Sequence, residues 1–364
     1  MRKLLSILFC ILLTVPAFVW LIGFDFGINV NRLGVEFPLP YGRALLKNEY
    51  YLSFDQYFND AFSMRGPLVF TKNWLDFNVF GMTDAGTVHV GTNGWLYSRK
   101  SIEDFRKEAC SEETEVGWLV LQLHALEKII KSSDRRFFFI VAPNKPTIYP
   151  EFVGFMPESD GCGYSRYDLF MEDVATHPLQ SFVRLDESLK KAKTHHSLLY
   201  DKTSTDWNGL GAQVAAETIH ARIADDASKI RHLEYRSNDD GKPGNLITQV
   251  MGLSSADEDE PSGHLERSGK SDFPSGIVYG DSFLRNLTPF MAQMFQRIDI
   301  LPADRIPSVH STENWFDYDC ILIETAESRI GALRIDLDTI FKRLEANARG
   351  MVRKPLDLRT VVPV

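Results

Sequence analysis

Six consecutive apolar residues, Phe137 to Ala142, run up to Pro143. An unbroken apolar run of this length fits a strand buried on both faces of a sheet, whereas a half-exposed strand would alternate. Shorter apolar runs follow at Phe182–Leu185, Leu198–Tyr200, Ile277–Tyr279, Ile298–Leu301 and Cys320–Ile323. Helical stretches lie among them, including Gly209–Ile223, Phe283–Phe295 and Ala332–Leu344. Ahead of the first strand, Val116, Leu119, Leu123, Leu126 and Ile130 recur at helical spacing, behind Ser111 as a capping residue and Glu112, Glu113 and Glu115 in the first turn. Alternation of strand and helix predicts an α/β fold with a mainly parallel sheet covered by helices on both sides.

The N-terminal third reads differently. Arg2 and Lys3 precede an uncharged apolar run from Leu4 to Gly23, long enough to cross a hydrocarbon core as a helix. The bulky Val19-Trp20-Leu21-Ile22 departs from the small-residue cleavage site of a secretory signal, so an uncleaved signal anchor is predicted over residues 1–24. Positive charge before the span and Asp25 after it place the rest of the chain outside the cytoplasm. Residues 25–50 form a linker punctuated by proline and glycine, and 51–110 an extension expected to pack on the main domain. That extension comprises a helical stretch over Phe54–Phe80, broken at Gly66-Pro67, and a hairpin over Val88–Tyr97 turning at Asn93-Gly94. The main α/β domain spans 111–350 and is interrupted at 236–276 by a polar loop containing Asp257-Glu258-Asp259-Glu260-Pro261, with one short helix within Leu246–Leu253. A tail covers 351–364.

Charge and cysteines narrow the classes. A formal net charge of -9, from 49 acidic and 40 basic residues, opposes binding to a phosphate backbone, and no basic stripe offsets it. Of four cysteines, Cys110 and Cys162 flank polar loops and are the pair available for a disulfide in an oxidising compartment, two free thiols being the other reading. No cysteine or histidine spacing matches a metal site, and no cofactor is expected.

Ile277-Val278-Tyr279 leads into Gly280-Asp281-Ser282-Phe283 and then an apolar helical stretch. A serine at this strand-turn-helix junction is lifted out at the carboxyl end of the strand, with the helix dipole directed at a developing oxyanion. Ser282 is the candidate nucleophile; the other reading is a turn with an N-cap. Lys145 and Tyr149 follow the carboxyl end of the first strand, where ligands of open sheets bind, and are candidate substrate-binding residues or plain loop residues.

Gly280-Asp281-Ser282-Phe283 and Leu199 through Asn208 resemble the alginate O-acetyltransferase (AlgJ/AlgX-type) family with an SGNH-hydrolase-like domain. An ordered series of further blocks carries the same resemblance: Phe58–Arg65, Gly91–Tyr97, Pro143–Pro150, Gly244-Asn245-Leu246 and Ile323-Glu324 with Arg329. It implies a three-layer α/β/α sandwich of SGNH type with permuted motif order and a serine acyl-enzyme. The implied partners are an exported, alginate-like exopolysaccharide, an acetyl donor and inner-membrane acetylation or export machinery. The implied location is a bacterial inner membrane, single-pass, with the main domain in the periplasm.

The resemblance breaks at one place. Where the family has Asp-x-His before the tryptophan, this chain has Ser204, Thr205, Asp206 and Trp207. Ser204 replaces the orienting acid and Asp206 the general base. A solvated carboxylate is a poor proton acceptor, so Asp206 either becomes a base through desolvation or caps the helix beginning near Gly209. No spacing places His264 or His310 beside Ser282. The alternative function is a catalytically impaired member serving as a polysaccharide-binding or structural subunit of an acetylation or export complex.

Overall fold

A computed structural model of the 364-residue chain describes residues 48–62, 64–83, 86–108, 113–156, 161–195, 198–224, 245–251, 263–266, 271–303 and 315–333, with scattered positions between 3 and 39. About half of the apolar run 4–23, Ser111, the stretch 334–344, the tail and most of 236–276 therefore lie outside the described residues. Among the described residues no helix is long and apolar enough to cross a membrane. The chain divides into two compact units, one of residues 1–90 with 245–257 and the other of 91–244 with 258–364.

In the first unit, helices Asn48–Ala61 and Arg65–Phe80 replace the single stretch expected from Phe54. Their break falls at residues 62–64 rather than at Gly66-Pro67. Pro67 instead occupies the first turn of the second helix, where its missing N–H has no intrahelical partner to lose. The helix stops at Gly81, in the left-handed region at φ 63°.

The second unit is the α/β body. Its sheet contains β3 (Arg136–Ala142), β4 (Phe182–Arg184), β5 (Gly263–Glu266), β6 (Phe273–Gly280), β7 (Phe295–Pro302) and β8 (Cys320–Ala326), in the order β4-β3-β8-β6-β7-β5; the two remaining short strands, β1 (Val88–Val90) and β2 (Leu96–Ser98), precede it in the chain. Five strands run parallel, and β5 is antiparallel at the edge beside β7. Register pairs Ala142 with Ala326 and Tyr279 with Ile323, so the carboxyl ends of β3, β8 and β6 finish side by side. Side chains divide by parity. Phe138, Ile140, Val278 and Leu322 face one core with the helices Gly209–Ala224 and Leu284–Met294, while Phe139, Val141, Ile277 and Ile321 face another with Glu113–Ser132 and Arg166–Thr176. This double burial is why the strands read as continuous apolar runs. Val116, Leu119, Leu123, Leu126 and Ile130 are all buried, as their spacing predicts.

Two expectations are corrected. Leu198–Tyr200 does not join the sheet: Leu199 O accepts the Asn208 N–H at 2.9 Å and Tyr200 bridges Trp207, so the segment closes a local loop. Within the polar stretch 236–276, the helix Asn245–Val250 is accompanied by β5, because an edge strand needs only main-chain pairing on one side. Cys10 and Cys320 are free thiols; Cys162 is disulfide-bonded, and Cys110 lies outside the described residues.

Candidate active site

Ser282 stands two residues beyond β6, partly exposed, at the carboxyl edge of the sheet. The turn carrying it is built by Asp281. One oxygen of that buried carboxyl accepts the Phe283 N–H (3.1 Å) and the other the Ala326 N–H (3.1 Å), joining the turn after β6 to the turn after β8. Arg329 Nη1 lies 3.7 Å from the same carboxyl. The Asp281 N–H donates in turn to Glu324 Oε2 at 3.0 Å. Gly280 is required here, since a Cβ would come within 2.3 Å of Glu324 Oε2.

Glu324 is fully buried in β8, the one charged residue of that strand, and its Oε1 has no partner among the described residues. Burial, reinforced by the charge of Asp281, lifts its pKa well above the carboxylate range and holds it neutral. Burial also raises Asp281, against the opposing pull of the Phe283 and Ala326 N–H groups and of Arg329.

The second loop lies at the same edge. Trp207 is buried and donates through Nε1 to Phe283 O (3.0 Å), its ring set edge-on to Phe283 at 4.8 Å. Asn286 Nδ2 returns a bond to Trp207 O at 2.7 Å. Through these ties the residue before Trp207 comes close to the serine, whose side chain favours the ionised form of the Asp206 carboxyl. Asp206 does not cap the following helix. Asn208 does, accepting the N–H groups of Leu210 (3.0 Å) and Gly211 (3.1 Å), because it sits directly before Gly209.

Asp206 keeps some exposure as a residue, but its Oδ1 is buried and unpartnered. Desolvation pushes its pKa up to about 7 and the charge of Asp281 adds to this, while Ser282, Arg285 and Arg329 pull it down. A carboxylate held near neutrality close to a serine hydroxyl has the properties of a general base. The first-turn N–H groups of Phe283, Leu284 and Arg285 are all engaged, by Asp281 and by Ser282 O.

The remaining candidates fall elsewhere. Ser204 meets its neighbours through the main chain: its N–H donates to Asp201 O (3.3 Å) and its carbonyl accepts from Lys145. Its hydroxyl makes no bond to Asp206 Oδ1, the oxygen an orienting group would hold. Lys145 and Tyr149 are corrected from cleft-lining to interior residues, each 2% exposed. Lys145 is spent on backbone carbonyls, and Tyr149 Oη accepts the Leu199 N–H at 2.9 Å. His310 lies outside the described residues, and of His264 only the backbone, in β5, is described. Sequence reasoning assigned no role to Asp281, Glu324, Arg285, Arg329 or Asn208. A lone carboxylate within Cys320–Ala326 is the signal that marks Glu324, and a cap residue adjoining Gly209 the signal that marks Asn208. Among the described residues no group of three or more His, Cys, Asp or Glu side chains is arranged to hold a metal ion.

Residues 88–254 match the family described as SGNH hydrolase-like domain, acetyltransferase AlgX. Two relatives, each described as a probable alginate O-acetylase AlgJ, are similar in sequence. The one from Pseudomonas syringae pv. tomato is 25% identical over 210 residues, 57% of this chain and 49% of its own length. The one from Pseudomonas aeruginosa is 26% identical over 155 residues, 42% of this chain and 37% of its own. Over residues 88–254 the chain is similar to the AlgX-type SGNH hydrolase-like domain family. Its match spans about half the length or less of these AlgJ relatives. Among solved structures it is similar to the O-acetyltransferase domain of Pseudomonas putida AlgJ, at 14% identity and a TM-score of 0.47, covering 71% of this chain and 99% of that one. It is also similar to Bacillus cereus PatB1 with a sulfonyl adduct, at 13% identity and a TM-score of 0.49, covering 67% of this chain and 97% of that one. Ser204 and Asp206, where the sequence departs from the expected Asp-x-His, lie on the loop that Trp207 ties to the nucleophile turn.

Proposed function

We propose that this chain is a polysaccharide O-acetyltransferase working through Ser282, with Asp206 as its base. The observation that carries the reading is the closeness of Ser282 to a desolvated Asp206 carboxyl at the sheet's carboxyl edge, where the Trp207–Phe283 bond joins the two loops. Ser282 Oγ attacks the acetyl carbonyl of a donor ester and its proton passes to Asp206; the donor's acyl–oxygen bond breaks and the leaving oxygen takes that proton. In the second half, a sugar hydroxyl gives its proton to Asp206 and attacks the acetyl-serine, which releases Ser282 with its proton restored. Arg285 and Arg329 favour the ionised form of Asp206 between these steps.

The acceptor we propose is an exported, alginate-like polymer, by analogy with the AlgJ relatives. The setting is a periplasmic domain tethered by residues 1–24 beside inner-membrane acetylation or export machinery. One observation favours a second reading, a polymer-binding subunit with little turnover: Asp206 Oδ1 lacks the orienting partner that a triad would provide. The test is hydrolysis of nitrophenyl acetate by the full chain, with and without acetyl-free alginate as acceptor. Ser282→Ala is expected to remove the enzyme-dependent rate. Equal rates in both proteins, with polymer binding retained, would favour the second reading.

A further inference from the structure

Lys145 is the buried cation of this site and touches no carboxylate. Its Nζ donates to Leu96 O (2.7 Å), Lys202 O (2.7 Å) and Ser204 O (2.9 Å), three acceptors for the three hydrogens that only an ammonium possesses. The rings of Trp95 and Tyr97 lie 4.9 and 5.2 Å from Nζ and replace part of its lost hydration. Burial pulls the pKa of the group down to about 7, and the charges of Asp201 and Asp206 act against that shift.

Two of those three carbonyls belong to the loop that ends at Asp206. Other ties of that loop include the Leu96 N–H to Lys202 O (2.8 Å), the Ser204 N–H to Asp201 O (3.3 Å), Asn208 Nδ2 to Asp201 Oδ1 (3.3 Å) and an exposed bond from Lys202 Nζ to Asn93 O (3.1 Å). On the far side of Asp206, Trp207 is fixed to the nucleophile turn by its bond to Phe283 O. Asp206 therefore stands between two anchors, Trp207 after it and Ser204 O two residues before it, and Lys145 holds the second. Because Lys145 follows the carboxyl end of β3 by three residues, it ties the loop to the end of that strand.

We infer that Lys145 is a positioning residue for the base: by gathering the carbonyls of Leu96, Lys202 and Ser204, it sets the place of Asp206 against Ser282. This role substitutes for the orienting contact missing at Asp206 Oδ1. It rests on the reading of Asp206 as base, but the placement of the loop is measurable without turnover.

The experiment compares the full-length wild type with Lys145→Met, which keeps the volume and removes the donors, and Lys145→Gln, which keeps two donors. Hydrolysis of nitrophenyl acetate is resolved into kcat and KM, and amide hydrogen exchange is followed over peptides covering 199–208 and the sheet. The expected result for Lys145→Met is a fall in kcat of about 100-fold, the scale of an ångström-sized misplacement, with KM changed less than about threefold. Lys145→Gln is expected to fall between the two. Faster exchange should be confined to 199–208. Unchanged kcat in an active wild type, or unchanged exchange in 199–208, overturns the inference. Global unfolding of both variants also overturns it, by making Lys145 a requirement of the fold rather than of the loop. An inactive wild type defeats the reading of Asp206 as base and leaves loop exchange alone to decide the placement by Lys145.

Discussion

At the scale of single residues, the chemistry turns on a carboxyl, Asp206, placed where the family resemblance leads one to expect imidazole. A carboxylate near its ordinary pKa would take a serine proton poorly, but desolvation brings Asp206 to about 7. The base form is the ionised one, so kcat/KM is expected to rise as pH approaches 7 and to fall again above it, where Lys145, lowered by burial to about 7, loses the ammonium that holds the loop; a profile flat from pH 5 to 9 would remove Asp206 from the proton path. The same shift has a sign for stability. A carboxyl whose folded pKa lies above its unfolded value makes the fold progressively less stable as pH rises from about 4 through 7. Asp206→Asn should therefore lose activity yet melt higher than wild type at pH 8, by roughly 1–3 kcal/mol, with the difference closing toward pH 4. Replacing Ser204→Asp together with Asp206→His supplies both an imidazole and an orienting acid. A gain of roughly 10- to 100-fold in nitrophenyl acetate hydrolysis is expected at pH 7, and absence of gain would mean that the surrounding pocket has been remodelled as well.

At the scale of elements, the site is a meeting of turns rather than of helices or strands. Asp281 binds the turn after β6 to the turn after β8, and Trp207 binds the loop before the helix Gly209–Ala224 to the first turn of Leu284–Met294. The capping assignment matters because it releases Asp206 for chemistry. Asn208 satisfies two N–H groups of the first turn, so Asn208→Ala should destabilise the protein by about 1 kcal/mol in denaturant titration, whereas Asp206→Ala should show no capping loss. Glycine at 211 serves the same junction: a Cβ there would lie 2.3 Å from Leu199 O and 2.7 Å from Trp207 Cβ.

At the scale of the molecule, the parallel sheet brings the ends of β3, β6 and β8 to one edge, and the functional groups follow directly after them. Lys145, Asp281 with Ser282, and Glu327 each come within three residues of a strand's end. Glu327 extends the buried polar layer there, accepting the Asn144 N–H at 2.8 Å, and burial raises its pKa to about 8. Carboxyls kept neutral at this edge limit the negative charge near Asp206, whose own ionisation is already opposed by Asp281.

The sequence alone determined the alternation of strand and helix around β3, β6, β7 and β8, the two-faced burial of those strands and the exit of Ser282 from β6. These are properties of local apolar runs and turns, which the chain carries in contiguous residues. It also carried the substitution at Asp206, but not its meaning. That meaning depends on contacts across 76 residues between Trp207 and Phe283 and on the loss of solvent around one carboxyl. The inward turn of Lys145, the failure of Leu198–Tyr200 to join the sheet and the edge pairing of β5 were likewise decided only by tertiary structure. Each depends on which backbone groups are left to be satisfied once the sheet has closed, and no local pattern records that.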